Sequence, residues 1–177
     1  MQNEHELEVV NVRLVREPSL YSETPLNTPQ AITELMADEL SKYDREVMCV
    51  LNMKTNGQCI NMNIASMGAI NHTLISPREI FKSAILANAS HVILLHNHPS
   101  GSVQPSHEDL VVTEQLEKCG QLLGIPVRDH VIIGGTNKKM YSFAENRQLE
   151  GKKESPNITQ EKKLNQKNNR QISQLQL

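Results

Sequence analysis

Several features that many proteins carry are scarce in this chain. Aromatic residues make up 3% of its 177 residues and Trp is absent, so the core must be aliphatic and Met-rich. No apolar run approaches the roughly 18 residues of a membrane-spanning helix, which predicts a protein without a membrane part. The three cysteines form no CxxC pair, so we expect reduced, mostly buried thiols. The polar, acidic N-terminus is unlike a signal peptide and predicts a cytoplasmic protein.

Charge is unevenly distributed along the chain. Residues 151–177 contain six Lys or Arg and two Asp or Glu, a net charge of about +4, which leaves about −6 on the rest. An acidic body argues against a broad nucleic-acid-binding surface. The Asn-, Gln- and Lys-rich end is typical of a disordered extension. We therefore predict a disordered polar and basic tail over 148–177, with a weak contact to nucleic acid as its alternative role.

Hydrophobic periodicity predicts strands that alternate with helices. Strands are predicted at 8–15, 46–51, 60–64, 92–96, 127–133 and 140–143, and helices begin at Thr28-Pro29, Ser76-Pro77 and Ser106. The inward positions are predicted to be Val10, Val12 and Leu14 in the first strand, Ile80, Phe81, Ala84 and Ile85 in the second helix, and Leu110, Val111, Leu116 and Leu122 or Leu123 in the third. One hairpin, at Asn56-Gly57, interrupts the alternation.

This order predicts an α/β fold, a mixed β-sheet flanked by helices. We expect residues 1–25 to supply an N-terminal strand and loop that join the domain. The domain itself is predicted over 26–147, and the tail follows it.

The segment from His96 to Asp109 carries the most chemistry in the sequence. Residues two apart in a strand point to the same face, so His96 and His98 can aim at one point. A Pro-Ser-Gly turn reverses the chain, and Asp109 lies one turn into the next helix. Two neutral imidazoles and one carboxylate, with one position left open, are the ligand set of a catalytic zinc. The alternative, hydrogen-bonded structural histidines, suits a lone histidine better than a pair at strand spacing.

Two further residues are candidates for catalysis. Glu46 opens a strand of the same sheet and can take a proton from a zinc-bound water, whose pKa is about 7. Spacing alone does not choose Glu46 over Glu39 or Glu79, but those two fit an exposed helix surface and a capping box. Ser106 either caps its helix through the Ser-x-x-Asp spacing or donates a hydrogen bond to a developing oxyanion, and the spacing supports both roles equally.

The polar residues near this segment have competing interpretations. Asp129 and His130 precede an apolar run and predict either a pair that orients a metal ligand or a structural pair at a strand end. Asn97 points away from the two histidines if the strand continues, which favours a supporting or loop-binding role. His91 and His107 are expected on the surface.

The ordered set Glu46, His96-x-His98-Pro99 and Ser106-x-x-Asp109 resembles the JAMM signature of the JAB/MPN metallopeptidases. In that signature seven residues separate the second histidine from the serine, as they do here. The longer string His-Asn-His-Pro-Ser-Gly resembles the bacterial RadC-like branch. So do Ser-Pro-Arg-Glu-Ile-Phe at 76–81 and Asp-His-Val-Ile-Ile-Gly at 129–134, and the resemblance extends over roughly 26–145.

The resemblance implies a cytidine-deaminase-like α/β/α sandwich that binds one Zn²⁺ per chain. It implies that His96, His98 and Asp109 are the zinc ligands. It also implies that Glu46 polarises the water and that Ser106 steadies the tetrahedral intermediate. The implied reaction is hydrolysis of a peptide or isopeptide bond in a peptide or protein substrate.

Two other functions remain open from the sequence. Many MPN domains are non-catalytic interaction modules, although those have typically lost metal ligands that this chain keeps. RadC-like proteins usually carry an N-terminal helix-hairpin-helix region associated with DNA binding, and the residues before Leu26 are too few for one. A DNA-associated protein of a mobile element is therefore supported only by the branch and by the basic tail.

Overall fold

The computed structural model describes residues 10–17, 20–21, 25–68, 75–134 and 138–149. Its elements in chain order are α1 (Pro29–Leu40), β1 (Val47–Met53), β2 (Cys59–Met67), α2 (Pro77–Leu86), β3 (His91–Asn97), α3 (His107–Leu123), β4 (Val127–Ile133) and β5 (Met140–Ser142). The strands form one sheet in the order β2-β1-β3-β4-β5. β3 and β4 are parallel and the other neighbours antiparallel, which confirms the predicted α/β fold with a mixed sheet. Among these residues, no helix has the length and apolar character needed to cross a bilayer.

Alternating side chains of the central strands build two cores, one on each face of the sheet. Cys49 and Leu95 pack with α1 on one face, whereas Val50 and Leu94 pack with α2 and α3 on the other. Because helices cover both faces, β1 is buried along its whole length. His96 continues the even-numbered positions of β3 and therefore faces the side of α2 and α3.

The helix starts follow the predicted capping residues, with one correction. Thr28 caps α1, and Ser106 caps α3 with a complete capping box. Ser76 begins α2 without a side-chain cap bond, so the capping box predicted there is wrong. The Glu79 carboxylate instead pairs with Lys82, 2.6 Å away on the exposed surface of α2.

The predicted inward faces of α2 and α3 are partly wrong. Ile85 is 55% exposed, and Leu116 is the one predicted inward residue of α3 that is buried. The exposed ones are Leu110, Val111, Leu122 and Leu123. The inner face of α3 carries Asp109 and Thr113 instead, because it lies against buried imidazoles that need hydrogen-bond partners.

The predicted N-terminal strand is wrong over its described part. Residues 10–17 have no regular secondary structure, and Val10, Val12 and Leu14 are 75%, 69% and 44% exposed. A strand needs a neighbour for its ladder of hydrogen bonds, and the described sheet edges, β2 and β5, do not pair with this segment. Residues 8 and 9 of that prediction lie outside the described residues.

The C-terminal end of the folded body lies slightly beyond the predicted boundary. Leu149 is 2% exposed and packs with Ile132 and Phe143, so the packed region continues past 147. The rest of the predicted tail, 150–177, lies outside the described residues, and its disorder stays a prediction.

Candidate metal centre

β3 and α3 bring two histidines and one aspartate together. His96 is the next-to-last residue of β3, His98 follows the strand, and Asp109 is in the first turn of α3. The Nε2 atom of His96 is 2.9 Å from that of His98 and 3.1 Å from Asp109 Oδ1, and His98 Nε2 is 3.5 Å from Asp109 Oδ2. All three residues are buried. The structure thus joins the three residues predicted to converge, and they form a group that can hold a metal ion.

Two backbone contacts shape the loop that follows His98. The N–H of Gly101 donates to the carbonyl of His98 at 2.9 Å, and Gly101 has φ +77°, which favours glycine in this turn. The N–H of His98 donates to the carbonyl of Ile133 at 3.0 Å, so the loop is tied to β4. The turn therefore reverses the chain while His98 stays beside the sheet.

The hydrogen bonds at the outer nitrogens of the imidazoles support metal binding at the inner ones. His98 Nδ1 lies 2.9 Å from the carbonyl of Ser102, which only accepts, so Nδ1 carries a hydrogen and, in the neutral imidazole, Nε2 carries the lone pair. His96 Nδ1 is likewise engaged, 2.8 Å from His130 Nε2. Two close Nε2 atoms beside the Asp109 carboxylate make a cluster of lone pairs that a cation would satisfy. This N, N, O donor set suits a divalent metal such as zinc.

Burial and neighbouring groups shift the pKa values of three residues at the cluster. Burial alone would raise the pKa of the Asp109 carboxyl, but the close imidazoles of His96 and His98 and the hydrogen bond from Ser106 lower that pKa far below its usual value. The nearby Asp109 carboxylate raises the pKa of His98, against the effect of burial. Complete burial lowers the pKa of His130 well below the ordinary value. These shifts favour the ionised carboxylate of Asp109 and the neutral imidazole of His130.

Ser106 forms the capping box that its spacing predicts. Its Oγ accepts from the backbone N–H of Asp109 at 3.1 Å, and its own N–H donates to Asp109 Oδ2 at 2.7 Å. The Ser106 hydroxyl also donates to Asp109 Oδ2 at 2.7 Å. The cap interpretation is confirmed, the hydroxyl contacts the candidate metal ligand Asp109, and its catalytic role stays a prediction.

Glu46 lies immediately before β1 and is half-buried. Its charge contributes to the raised pKa of His98, which puts its carboxylate within electrostatic reach of the cluster. The competing glutamates lie on helix surfaces, where Glu39 pairs with Lys42 and Glu79 pairs with Lys82. Glu46 remains the candidate general base.

The predicted Asp129 and His130 pair is divided between two tasks. The Asp129 carboxylate accepts from the backbone N–H of Ala144 at 2.9 Å and from the Ser142 hydroxyl at 2.7 Å, so it stabilises the turn after β5. The His130 ring contacts His96 and stacks on Phe143 with centroids 4.9 Å apart. Of the contacts described for the two residues, those of His130 reach the candidate metal centre, through His96.

Two histidines and one threonine outside the cluster differ in their surroundings. His107 is exposed, as predicted, whereas His91 is half-buried, with Nδ1 2.8 Å from Ser90 Oγ. Thr113, which the sequence reasoning missed, lies 2.6 Å from His130 Nδ1. Its spacing of four residues after Asp109 puts both on one helix face, and that spacing is the pattern that could have revealed it.

Comparison with known proteins is consistent with this geometry. The RadC-like JAB domain family model matches residues 26–149 of the chain. This chain belongs to the RadC-like JAB domain family. Similar proteins include a UPF0758 protein of Desulfitobacterium hafniense, 47% identical over 109 residues, which are 62% of this chain and 48% of the relative.

Two further UPF0758 proteins match this chain over a similar length. A UPF0758 protein of Finegoldia magna is 42% identical over 112 residues, 63% of this chain and 50% of the relative. One of Methanosarcina mazei is 38% identical over 124 residues, 68% of this chain and 54% of the relative. The chain thus spans about half the length of the curated relatives it matches.

Proposed function

We propose that this chain is a zinc-dependent hydrolase of peptide or isopeptide bonds that binds one zinc ion per chain. The observation that carries the proposal is the convergence of His96 Nε2 and His98 Nε2 on the Asp109 carboxylate, with both Nδ1 atoms engaged elsewhere. Three protein ligands from a sheet end and a helix start would leave an open position for water or substrate, as in catalytic zinc sites.

His96, His98 and Asp109 would hold the ion. Zinc held there supplies Lewis-acid chemistry, which lowers the pKa of a coordinated water to about 7 and polarises a carbonyl. The Glu46 carboxylate accepts one proton from the attacking water and later returns it to the leaving nitrogen. The C–N bond breaks, the water oxygen stays on the carbonyl carbon, and the products are a carboxylic acid and an amine.

Ser106 has the chemistry to assist as charge develops on the carbonyl oxygen. Its hydroxyl hydrogen is directed at Asp109 Oδ2. The hydroxyl can turn to donate to the carbonyl oxygen of the substrate while Oγ still accepts from the N–H of Asp109. A donor that acts in the transition state lowers the barrier rather than the substrate's Kd.

The compartment and the partners belong to the same proposal. The three cysteines are free, Cys49 within the core, which suits a reducing compartment such as the cytoplasm. The substrate is a peptide or protein, and the basic segment 151–177 is where a contact with nucleic acid would occur.

Metal analysis and peptide cleavage test the proposal. Untagged protein should contain about one zinc per chain, and the zinc-loaded protein should cleave members of a peptide library. His98→Ala should lose the metal, whereas Glu46→Gln should keep the metal and lose hydrolysis. Glu39→Gln, a glutamate on the α1 surface, is the matched control and should keep both.

Two results would refute the proposal in different ways. Undiminished hydrolysis by Glu46→Gln would remove the glutamate mechanism. A protein that binds no zinc, and whose captured partners remain bound in chelator, would instead be a non-catalytic interaction module.

A further inference from the structure

A chain of hydrogen bonds links two of the candidate metal ligands behind the metal centre. The Thr113 hydroxyl donates to the backbone carbonyl of Asp109 at 2.5 Å and lies 2.6 Å from His130 Nδ1. His130 Nε2 lies 2.8 Å from His96 Nδ1. His96 and His130 are fully buried, and Thr113 and Asp109 are each 2% exposed. The chain therefore runs from one ligand residue to another without reaching the surface.

The direction of each bond follows from the groups involved. A backbone carbonyl only accepts, so the single hydrogen of the Thr113 hydroxyl is committed to Asp109. The Thr113 oxygen then accepts from Nδ1–H of His130, whose ring is enclosed by Thr113, His96 and the stacked ring of Phe143. A neutral imidazole with hydrogen on Nδ1 has its lone pair on Nε2, which accepts from Nδ1–H of His96.

We infer that His130, held by Thr113, is a positioning residue that keeps the hydrogen of His96 on Nδ1 and aims the Nε2 lone pair at the metal. The inference rests on the metal site of the proposed function. If His130 Nε2 instead donated to His96 Nδ1, the hydrogen of a neutral His96 would lie on Nε2, toward His98 and Asp109, and that nitrogen could not bind a metal ion. For His98 one acceptor is enough, since the Ser102 carbonyl alone keeps a hydrogen on Nδ1. The hydrogen bond between His96 and His130 also needs Thr113 to fix its direction, because His130 by itself can donate from either nitrogen.

Histidine nitrogen NMR and zinc affinity test the inference. In metal-free wild-type protein, the ring nitrogens labelled with ¹⁵N should show His96 and His130 both protonated on Nδ1. Thr113→Val removes the hydroxyl at similar size, so both rings should become mixtures of tautomers. Zinc Kd, measured by competition with a chromophoric chelator, should rise about 10- to 100-fold. Thr113→Ser keeps the hydroxyl and should keep the wild-type tautomers and Kd.

A second pair of variants tests His130 itself. The side-chain carbonyl of His130→Gln can accept from Nδ1–H of His96, whereas His130→Leu offers no acceptor. His130→Gln should therefore bind zinc more tightly than His130→Leu. If both variants fail to fold, the Thr113 pair decides alone.

The results that overturn the inference differ from those that overturn the proposed function. Wild-type protein with the His96 hydrogen on Nε2 would refute the inference, as would Thr113→Val with unchanged tautomers and unchanged Kd. Equal zinc affinity in folded His130→Gln and His130→Leu would also contradict it. Wild-type protein that binds no zinc would refute the proposed function, while the tautomers of the metal-free protein would still decide the direction of the bonds.

Discussion

Asn97 hydrogen-bonds the peptide groups on both sides of Glu46. Its Oδ1 accepts from the N–H of Val47 at 2.8 Å, and its Nδ2 donates to the carbonyl of Arg45 at 3.1 Å. Asn97 is 1% exposed and directly follows His96 in β3. One amide thus fixes the backbone of the candidate general base relative to a candidate metal ligand.

We predict that Asn97→Ala impairs hydrolysis while zinc binding is kept. The variant leaves the buried N–H of Val47 without its acceptor, which costs about 1–3 kcal/mol of folding free energy. Glu46 then loses its fixed position, so kcat should fall, whereas the histidines keep their own hydrogen bonds. Urea unfolding, zinc content and peptide cleavage measure the three effects.

Asn52→Ala is the matched control for Asn97→Ala. Asn52 is also buried and hydrogen-bonded, to Asn61 at 2.7 Å, but it lies further along β1 from Glu46. It should lose stability and keep kcat per folded molecule. A similar loss of kcat in both variants would mean that Asn97 acts through general stability.

Ser106→Ala separates the cap from the catalytic role of the hydroxyl. Loss of the cap should cost about 0.5–2 kcal/mol of stability. Loss of a donor to the developing oxyanion should also lower kcat about 100- to 1,000-fold. Thr28→Ala removes the corresponding cap bond of α1, 3.2 Å to the N–H of Ala31, and should lower stability only. A wild-type kcat in Ser106→Ala would reduce Ser106 to a helix cap.

The convergence of His96, His98 and Asp109 could be predicted from the sequence because local geometry determines it. The two-residue spacing of His96 and His98 and the capping-box position of Asp109 need only one strand and one helix start. The four-residue spacing puts Thr113 on the helix face of Asp109, but the contact of Thr113 with His130 also depends on the packing of α3 against β4 after a parallel crossover.

Two of the wrong predictions also arise because a local pattern does not include tertiary packing. Val10 and Val12 alternate as a strand does, but no neighbouring strand pairs with them in the described sheet. The apolar residues of α3 suggest an inward face around Leu110, yet the buried imidazoles opposite the helix require the polar face. Periodicity reports which residues could be buried, and the groups across the interface decide which are.

Gly120 allows α3 to pack closely against the chain that follows it. A Cβ at this position would lie 2.6 Å from the backbone oxygen of Ile125 and 3.2 Å from the ring of Phe81. We predict that Gly120→Ala destabilises the fold by about 1–3 kcal/mol through overpacking. This outweighs the gain of about 1 kcal/mol that Ala brings to a helix interior.

Gly124→Ala provides the comparison for Gly120→Ala in thermal unfolding. Gly124 has φ +69° and open space around its Cβ position, so its variant should show only the left-handed backbone cost of about 1–2 kcal/mol. Shifted packing of α3 in Gly120→Ala should also weaken zinc binding through Asp109, which Gly124→Ala should not do. A stabilised Gly120→Ala would contradict the close approach.

Cys49 should be unreactive in the folded protein across the physiological pH range. Burial raises its pKa from 9.0 to about 12, so below pH 9 its thiolate fraction is about 1,000-fold smaller than that of an ordinary thiol. Iodoacetamide labelling followed by peptide mass spectrometry should modify the half-buried Cys119 first and Cys49 only after unfolding. Equal labelling of the two in folded protein would show that the α1 side of the core opens readily.

Zinc should stabilise the fold through His98 and not through the neighbouring exposed histidine. A ligand at 100 times its Kd adds about 2.7 kcal/mol to the free energy of unfolding, and a chelator should reverse the gain. His98→Ala should show no rise in Tm with zinc because one of three ligands is missing. His107→Ala, two residues before Asp109 but exposed, should keep the full rise. Equal rises in the two variants would locate zinc binding outside the His96, His98 and Asp109 cluster.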